Sequence, residues 1–315
     1  MRILIFYNPL ENFDMVFQMS IYFGNWRPRQ GNILEEFLAE ILTRGKPRYD
    51  WSRSIDWSRA RVYDLSQPLS VNTPPFPTYP PFEIKWIKTV QEHGVNAQYI
   101  QTPFHIGTHM DGPLHFDTAG LDIASIPIEY WIGEGVIVDI SDEVGDLDIY
   151  TSDMVERKLK SYNLSLKPFD ILVIHTGYSR YAWYKAEANP VRYMLKHPGP
   201  MKEFADWLIR NRIRWTAVDA VSQDHPLNTV IRRVRSDIVA EFKRKFGRDV
   251  DEVMPWPENY QLMHTYLFPK GILHVENAGG DIDKVLNRRC LIAAFPDKIA
   301  GAEAAFCRLV AICSD

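Results

Sequence analysis

Residues 105–115 read His-Ile-Gly-Thr-His-Met-Asp-Gly-Pro-Leu-His, and no other stretch constrains the fold so tightly. Gly107, Gly112 and Pro113 argue against a helix, since glycine costs about 1 kcal/mol and proline about 3 kcal/mol in a helix interior. The run is expected as a loop just after a strand ending near Thr102, where a rigid element can aim several side chains at one spot. Three of the nine histidines in the chain fall in this run, with an aspartate between them. One histidine alone would read as a hydrogen-bonded structural residue. Imidazole and carboxylate together are good ligands for a first-row divalent metal, zinc or manganese. Glycine lets the backbone approach such an ion closely.

Around this run, short β-rich stretches alternate with helices, which points to a mixed α/β fold. Strands are expected at Arg61–Leu65, Asn96–Thr102, Val136–Ile140, Ile171–Thr176, Ile213–Val218, Arg289–Phe295 and Phe306–Cys313. Helices are expected at Ser152–Lys160, Met201–Asn211 and Thr229–Phe246, with Pro200 suited to a first turn and Gly247 to a C-terminal end. Thr73–Pro81 carries too many prolines for regular structure. Near the start, Asn32 is a plausible N-cap for a helix whose Ile33, Leu34, Phe37, Leu38, Ile41 and Leu42 share one face. That face needs a partner surface, either its own domain or another subunit. An aromatic and basic stretch, Tyr49–Arg61, follows it. The chain thus divides into an N-terminal extension, 1–60, and a main domain, 61–315. The apolar start Met1–Pro9 is cut short by Asn8, Pro9 and Glu11, so it reads as a buried strand and not as a secretion signal.

With 315 residues, 46% of them hydrophobic, the chain can bury a substantial core. A formal net charge of -4 lacks the basic excess of a nucleic-acid binder. The basic run Arg232–Arg235 reads as the solvated face of a helix. No apolar run approaches the ~18 residues of a membrane span. Cys290, Cys307 and Cys313 are odd in number and unpatterned, so reduced core cysteines in a cytoplasmic protein are expected.

The histidine run closely resembles the His-x-Gly-Thr-His-x-Asp-x-Pro-x-His signature of the cyclase family, which includes bacterial-type kynurenine formamidase and isatin hydrolase. The resemblance can be followed from about Val62 to the C-terminus. It implies a layered, swivelling β/β/α domain with mixed sheets, assembled as a homodimer or larger homo-oligomer. It implies one or two divalent metals, zinc or manganese, with His105 and His109 as ligands, Asp111 as a bridging ligand and His115 as the proton shuttle. In two-metal members a histidine lies twelve residues before a glutamate, with glycine at the seventh step. His264, Gly271 and Glu276 have that spacing, so His264 is an implied ligand of a second metal and Glu276 an implied contact of both. The apolar setting of Glu276 agrees, because a buried charge needs a partner. His274 has no counterpart in the family pattern and is read as a supporting or core residue.

Thr73–Pro77 aligns with a family segment that lays an aromatic ring on the substrate, making Phe76 a candidate contact. Ser222 and Asp224 resemble a family Asp-x-x-Ser-x-Asp stretch and read as structural or supporting. The aromatic stretch Tyr178–Tyr184 is either a lid, with Arg180 holding a substrate carboxylate, or a solvated loop. The implied activity is metal-assisted hydrolysis of the C–N bond of an amide or formamide on a small aromatic molecule, such as N-formylkynurenine in tryptophan catabolism. Ring-opening of a lactone or cyclic imide is the alternative. A metal-dependent binding protein without turnover would not need His115. The chain departs from short family members by inserting a long charged helix and Met254-Pro255-Trp256-Pro257 before His264.

Overall fold

The protein is described by a computed structural model, in which residues 31–44 and 55–314 are placed. The strand expected at Met1–Pro9 and the first part of the Tyr49–Arg61 stretch lie outside the described residues. The described strands, in chain order, are β1 Ala60–Asp64, β2 Glu83–Lys88, β3 Ala97–Gln101, β4 His109–Asp111, β5 Ile132–Asp139, β6 Ile149–Tyr150, β7 Ile171–His175, β8 Gly199–Pro200, β9 Trp215–Val218, β10 Leu273–Glu276, β11 Arg288–Pro296 and β12 Ala304–Ser314. The helices that matter below are α1 Ile33–Arg44, α2 Ser152–Ser161, α3 Lys202–Arg210, α4 Ser236–Phe246 and α5 Leu262–Thr265.

The main sheet is mixed and runs β1-β12-β11-β5-β7-β9-β10-β4. A further pairing of β4 with β12 closes it on itself. The parallel centre, β5-β7-β9-β10, is buried on both faces and reads as near-continuous apolar sequence, as parallel strands do. Alternate residues point to opposite faces. Ile137, Ile171, Val173, Trp215, Ala217, Leu273, Val275, Met110 and Leu309 form one apolar cluster inside the closed sheet. Val136, Val138, Leu172 and Ile174 point outward and are covered by Val155 and Leu159 of α2 and Phe204, Ala205 and Leu208 of α3.

Helix α1 starts as the sequence suggests, with Asn32 Oδ1 accepting from Glu35 N at 2.9 Å. Its Leu34, Phe37 and Leu38 join the interior cluster, so much of its apolar face is spent within its own chain. The inserted segment builds a third cluster, in which Ile231, Ile238, Phe242, Val250 and Met254 pack on Tyr178, Tyr181, Tyr193 and Val218. No described helix is long and apolar enough to cross a membrane.

Several expectations need correction. The histidine run is not all loop: His109–Asp111 is the strand that closes the sheet. Three residues between glycines are too few to show a period. The helix expected at Thr229–Phe246 breaks at Arg235 into a turn, Ile231–Val234, and α4. Its start is rich in β-branched residues, which are stiff in helices. Arg232 is not solvated: its Nε donates to Leu227 O and its Nη2 to Met254 O, both at 2.7 Å. Pro200 belongs to β8, one residue before the cap of α3. Cys290 and Cys313 are joined in a disulfide, leaving Cys307 free. They face each other across the β11–β12 register, which spacing alone does not reveal. That bond removes the cysteine argument for a reducing compartment.

Candidate metal centre

The register of the closing strand brings the site together. Asp111 lies across from His274, and His109 across from Glu276. Cross-strand partners share a face, so these four side chains project from the same side of the sheet, opposite Met110 and Val275 in the interior. Gly107 turns the chain into β4 with a φ of +62°, a conformation that favours glycine. The turn lets His109 Nδ1 meet Gly107 O at 2.8 Å, which aims Nε2 at the cluster. A side chain at Gly112 would meet Ile123 Cδ1 at 2.9 Å and Glu303 O at 3.0 Å, so glycine gives the closest approach where the strand leaves the sheet.

Asp111 is fully buried, and neither carboxylate oxygen has a hydrogen-bond partner. Its Oδ1 lies 3.2 Å from both His105 Nδ1 and His109 Nε2, and these two nitrogens are 3.2 Å apart. Its Oδ2 lies 3.2 Å from His274 Nε2 and 3.6 Å from His264 Nε2. Glu276 reaches both groups, with Oε2 3.7 Å from His109 Nε2 and Oε1 3.6 Å from His264 Nε2. A buried carboxylate with bare oxygens, ringed by imidazole nitrogens, is costly as it stands and fits a divalent cation on each side.

Outer partners fix the imidazoles. Asp224 Oδ2 is 2.6 Å from His264 Nδ1, while Asp224 Oδ1 accepts from Met263 N at 3.0 Å. Gln223 N donates to Glu276 Oε1 at 2.9 Å. Glu303, just before β12, is 3.0 Å from His105 Nε2 and 2.7 Å from His115 Nδ1. Carboxylates behind ligating histidines orient the ring and raise its basicity.

The electrostatics follow this wiring. Burial disfavours charge on Asp111, yet His109 and His105 outweigh it and hold the carboxyl well below its usual range. Burial and then Asp111 push Glu276 up. For His105 burial opposes the charge, but Asp111 and Glu303 prevail and raise it to about 11. For His264 burial is likewise overcome, by Asp111 and Asp224, to about 10. His274 goes the other way, to about 3, through burial and the neighbouring His264. His115 is lowered by burial, with Glu303 opposing.

The sequence reading named His105, His109, Asp111, His115, His264 and Glu276, and the fold gathers all six. Phe76 comes close through its backbone: Phe76 N donates to His105 O at 3.2 Å, and Pro75 bridges to Ile106. For Arg180 the described contact is with an aromatic neighbour and not with the cluster. Arg180 is exposed, with its guanidinium 5.2 Å from the Tyr181 ring centre. The aromatic stretch around it is not a solvated loop, because Tyr178 and Tyr181 are buried and Trp183 donates to Pro68 O. Sequence reasoning missed Glu303 and Tyr79, whose ring centre lies 5.5 Å from that of His105. It left His274 aside, although a period of two from Glu276 already put both on one face.

The model of the family described as "Putative cyclase" matches residues 63–225, just over half of the chain. The kynurenine formamidase of Sphingopyxis alaskensis is 34% identical over 106 residues, 32% of this chain and 51% of that protein. The match to the Bacillus cereus kynurenine formamidase covers 48% of it at 35% identity, so the chain spans about half the length of these curated relatives. That of Bacillus mycoides is 25% identical over 253 residues, 78% of this chain and 95% of that protein. In fold, isatin hydrolase A from Ralstonia solanacearum superposes with a TM-score of 0.65 at 22% identity, covering 88% of this chain and 96% of that one. The matched region contains the histidine run and ends at His225, beside the loop that carries Asp224, and on that match the chain belongs to the cyclase family.

Proposed function

We propose that this chain is a metal-dependent hydrolase that cleaves the C–N bond of a formamide or amide on a small aromatic substrate, N-formylkynurenine first. The observation that carries this reading is the buried Asp111 carboxylate, bare at both oxygens between two imidazole groups, with His115 at the rim. His105, His109 and Asp111 would hold one divalent cation, zinc or manganese, and Asp111, His264 and Glu276 a second. When bound, such a cation polarises a carbonyl and lowers the pKa of water from 15.7 to roughly 7 in favourable sites.

The remaining work falls to the chain's own groups. Glu303 is kept ionised, its carboxyl lowered to about 2 by His105 and His115 against the effect of burial. It therefore accepts from His115 Nδ1 and leaves Nε2 free to take up a proton. Burial keeps that imidazole neutral near pH 7, ready to receive a proton and pass it to the leaving nitrogen. An arylamine needs that proton, because its anion leaves poorly. Phe76 and Tyr79, on the proline-rich loop tied to His105, form an aromatic wall for the substrate ring. Residues 61–315 are read as the catalytic domain in the layered arrangement the resemblance implies, with 1–60 as an extension carrying α1, and the unit as a homo-oligomer.

The test is to strip the protein with a chelator, restore zinc or manganese, and measure turnover of N-formylkynurenine. Fast, metal-dependent hydrolysis is expected. Metal uptake without turnover would shift the reading to a lactone or cyclic imide on the same site. No metal uptake would sink it.

A further inference from the structure

We propose that His274 is a fourth protein ligand of the inner metal, so that this ion is enclosed by Asp111, His264, His274 and Glu276 while the outer ion keeps an open position. The inference rests on the metal-centre reading above and concerns a residue outside the family's ligand pattern.

The argument is geometric. Four ligands at the 2.0–2.2 Å typical of zinc to nitrogen and oxygen, placed at the corners of a tetrahedron, lie about 3.3–3.6 Å apart. His274 Nε2 is 3.2 Å from Asp111 Oδ2, 3.2 Å from His264 Nε2 and 3.5 Å from Glu276 Oε1. His264 Nε2 is 3.6 Å from each of the same two carboxylate oxygens. Five of the six edges of a tetrahedron are thus at or near ligand spacing. All four residues are buried, and each offers one atom within 4.8 Å of the others.

The backbone makes this arrangement rigid. His274 and Glu276 are two apart on β10, which is hydrogen-bonded on one side to β9 and on the other to β4, the strand of Asp111. Three of the four ligands therefore sit on paired strands of a closed sheet. Four protein ligands mark a metal held for structure, whereas three leave a position for water or substrate. The outer group, His105, His109 and Asp111 Oδ1, is a triangle with 3.2 Å edges, and Glu276 Oε2 stands farther off, 3.7 Å from His109 Nε2. It lies on the side where Glu303 and His115 meet solvent. The inner ion then anchors Asp111 and Glu276, and the chemistry belongs to the outer one.

The test is a cobalt(II) titration of the stripped full-length chain, followed by visible absorption and by exchange against a chelator. Wild type should take two equivalents, one of them resisting exchange. His274→Ala should lose that slow equivalent, weakening it by more than the roughly 10–100-fold that removing an outer-sphere partner costs. The outer equivalent should stay. His274→Cys should bring a thiolate-to-cobalt charge-transfer band that wild type, which already carries Cys307, does not show. Circular dichroism confirms that each variant is folded, and the cysteine variant decides if the alanine variant is not. Two equivalents with unchanged constants in folded His274→Ala, or no new band in folded His274→Cys, would overturn the proposal and leave the metal reading standing. No cobalt uptake by wild type would overturn both.

Discussion

Around Asp111 Oδ2, the imidazoles of His264 and His274 are sealed from solvent, and the carboxylate behind His264 is the fully buried Asp224. Around Asp111 Oδ1, His105 comes from a turn outside the sheet, and the carboxylate behind it is Glu303, whose side chain is 36% exposed. The same chemistry is thus built twice from one shared aspartate. One half stands on strands and is shut; the other hangs partly on loops and is reachable. A reaction needs access and a proton path, and on the reading proposed above the outer half, with His115 and the partly exposed Glu303 beside His105, supplies them. The inner half has what retention needs, a set of buried donors held mostly on paired strands.

The shared aspartate is where this comparison can be broken most severely. Asp111→Ala is expected to remove both metals and lower turnover by roughly 10³–10⁴, the scale of the several kcal/mol a catalytic cation supplies. Elemental analysis of the purified variant checks it. Loss of a single equivalent would mean that the halves are independent and Asp111 serves one.

Next in size is a variant confined to the outer half. His115→Ala should cut kcat by about 10²–10⁴ with metal content unchanged, the usual weight of a positioned acid/base. Metal loss in parallel would make His115 a ligand and redraw the outer group. A smaller effect separates the two supporting carboxylates. Asp224→Asn should weaken the inner ion by roughly 10–100-fold and leave the outer one alone, and Glu303→Gln should do the reverse. Chelator competition on the two variants reads both. If either substitution moved both ions equally, the division into halves would fail.

How much of this was legible follows the same division. The outer half lies in one contiguous run, so its residue types and glycines announced it. The inner half joins that run to residues about 150 or more positions further on, and only a resemblance in spacing points to His264 and Glu276. His274 needs nothing beyond strand alternation from Glu276, although no family pattern points to it. Glu303 and Tyr79 carry no local signal, since a partly exposed glutamate and a loop tyrosine look the same wherever they sit. The parallel strands were readable because burial on both faces leaves a continuous apolar run. β4 was not, because its membership in the sheet is decided by β10 and β12. The Cys290–Cys313 bond has the same origin in long-range register.

The wall behind the inner half offers the last and smallest test, a dependence on acid. His225 follows Asp224 directly and is fully buried; its Nε2 lies 3.0 Å from Leu147 O, and its Nδ1 accepts from Leu227 N at 3.1 Å. Only the neutral ring satisfies this, because a proton on Nδ1 would face a backbone N–H. Burial, opposed by Leu147 O, pushes His225 down to about 3, and burial, opposed by Pro198 O, pushes His197 down to about 4. The folded state therefore refuses protons that the unfolded chain accepts below about pH 6.5. The stability these rings confer is complete above that pH and declines as pH falls toward 4, by about 1.4 kcal/mol per pH unit for each ring. His105 and His264 do not contribute to this slope in the metal-free protein, because their raised values put their titration above pH 6.5. Urea unfolding of stripped wild type and His225→Gln at pH 7 and pH 5 isolates the term. The variant should start less stable and lose about 2 kcal/mol less over that interval. Equal losses in the two proteins would mean that the imidazole protonates in place, and that the loop holding Asp224, and through it the inner half, yields to acid before the rest of the fold.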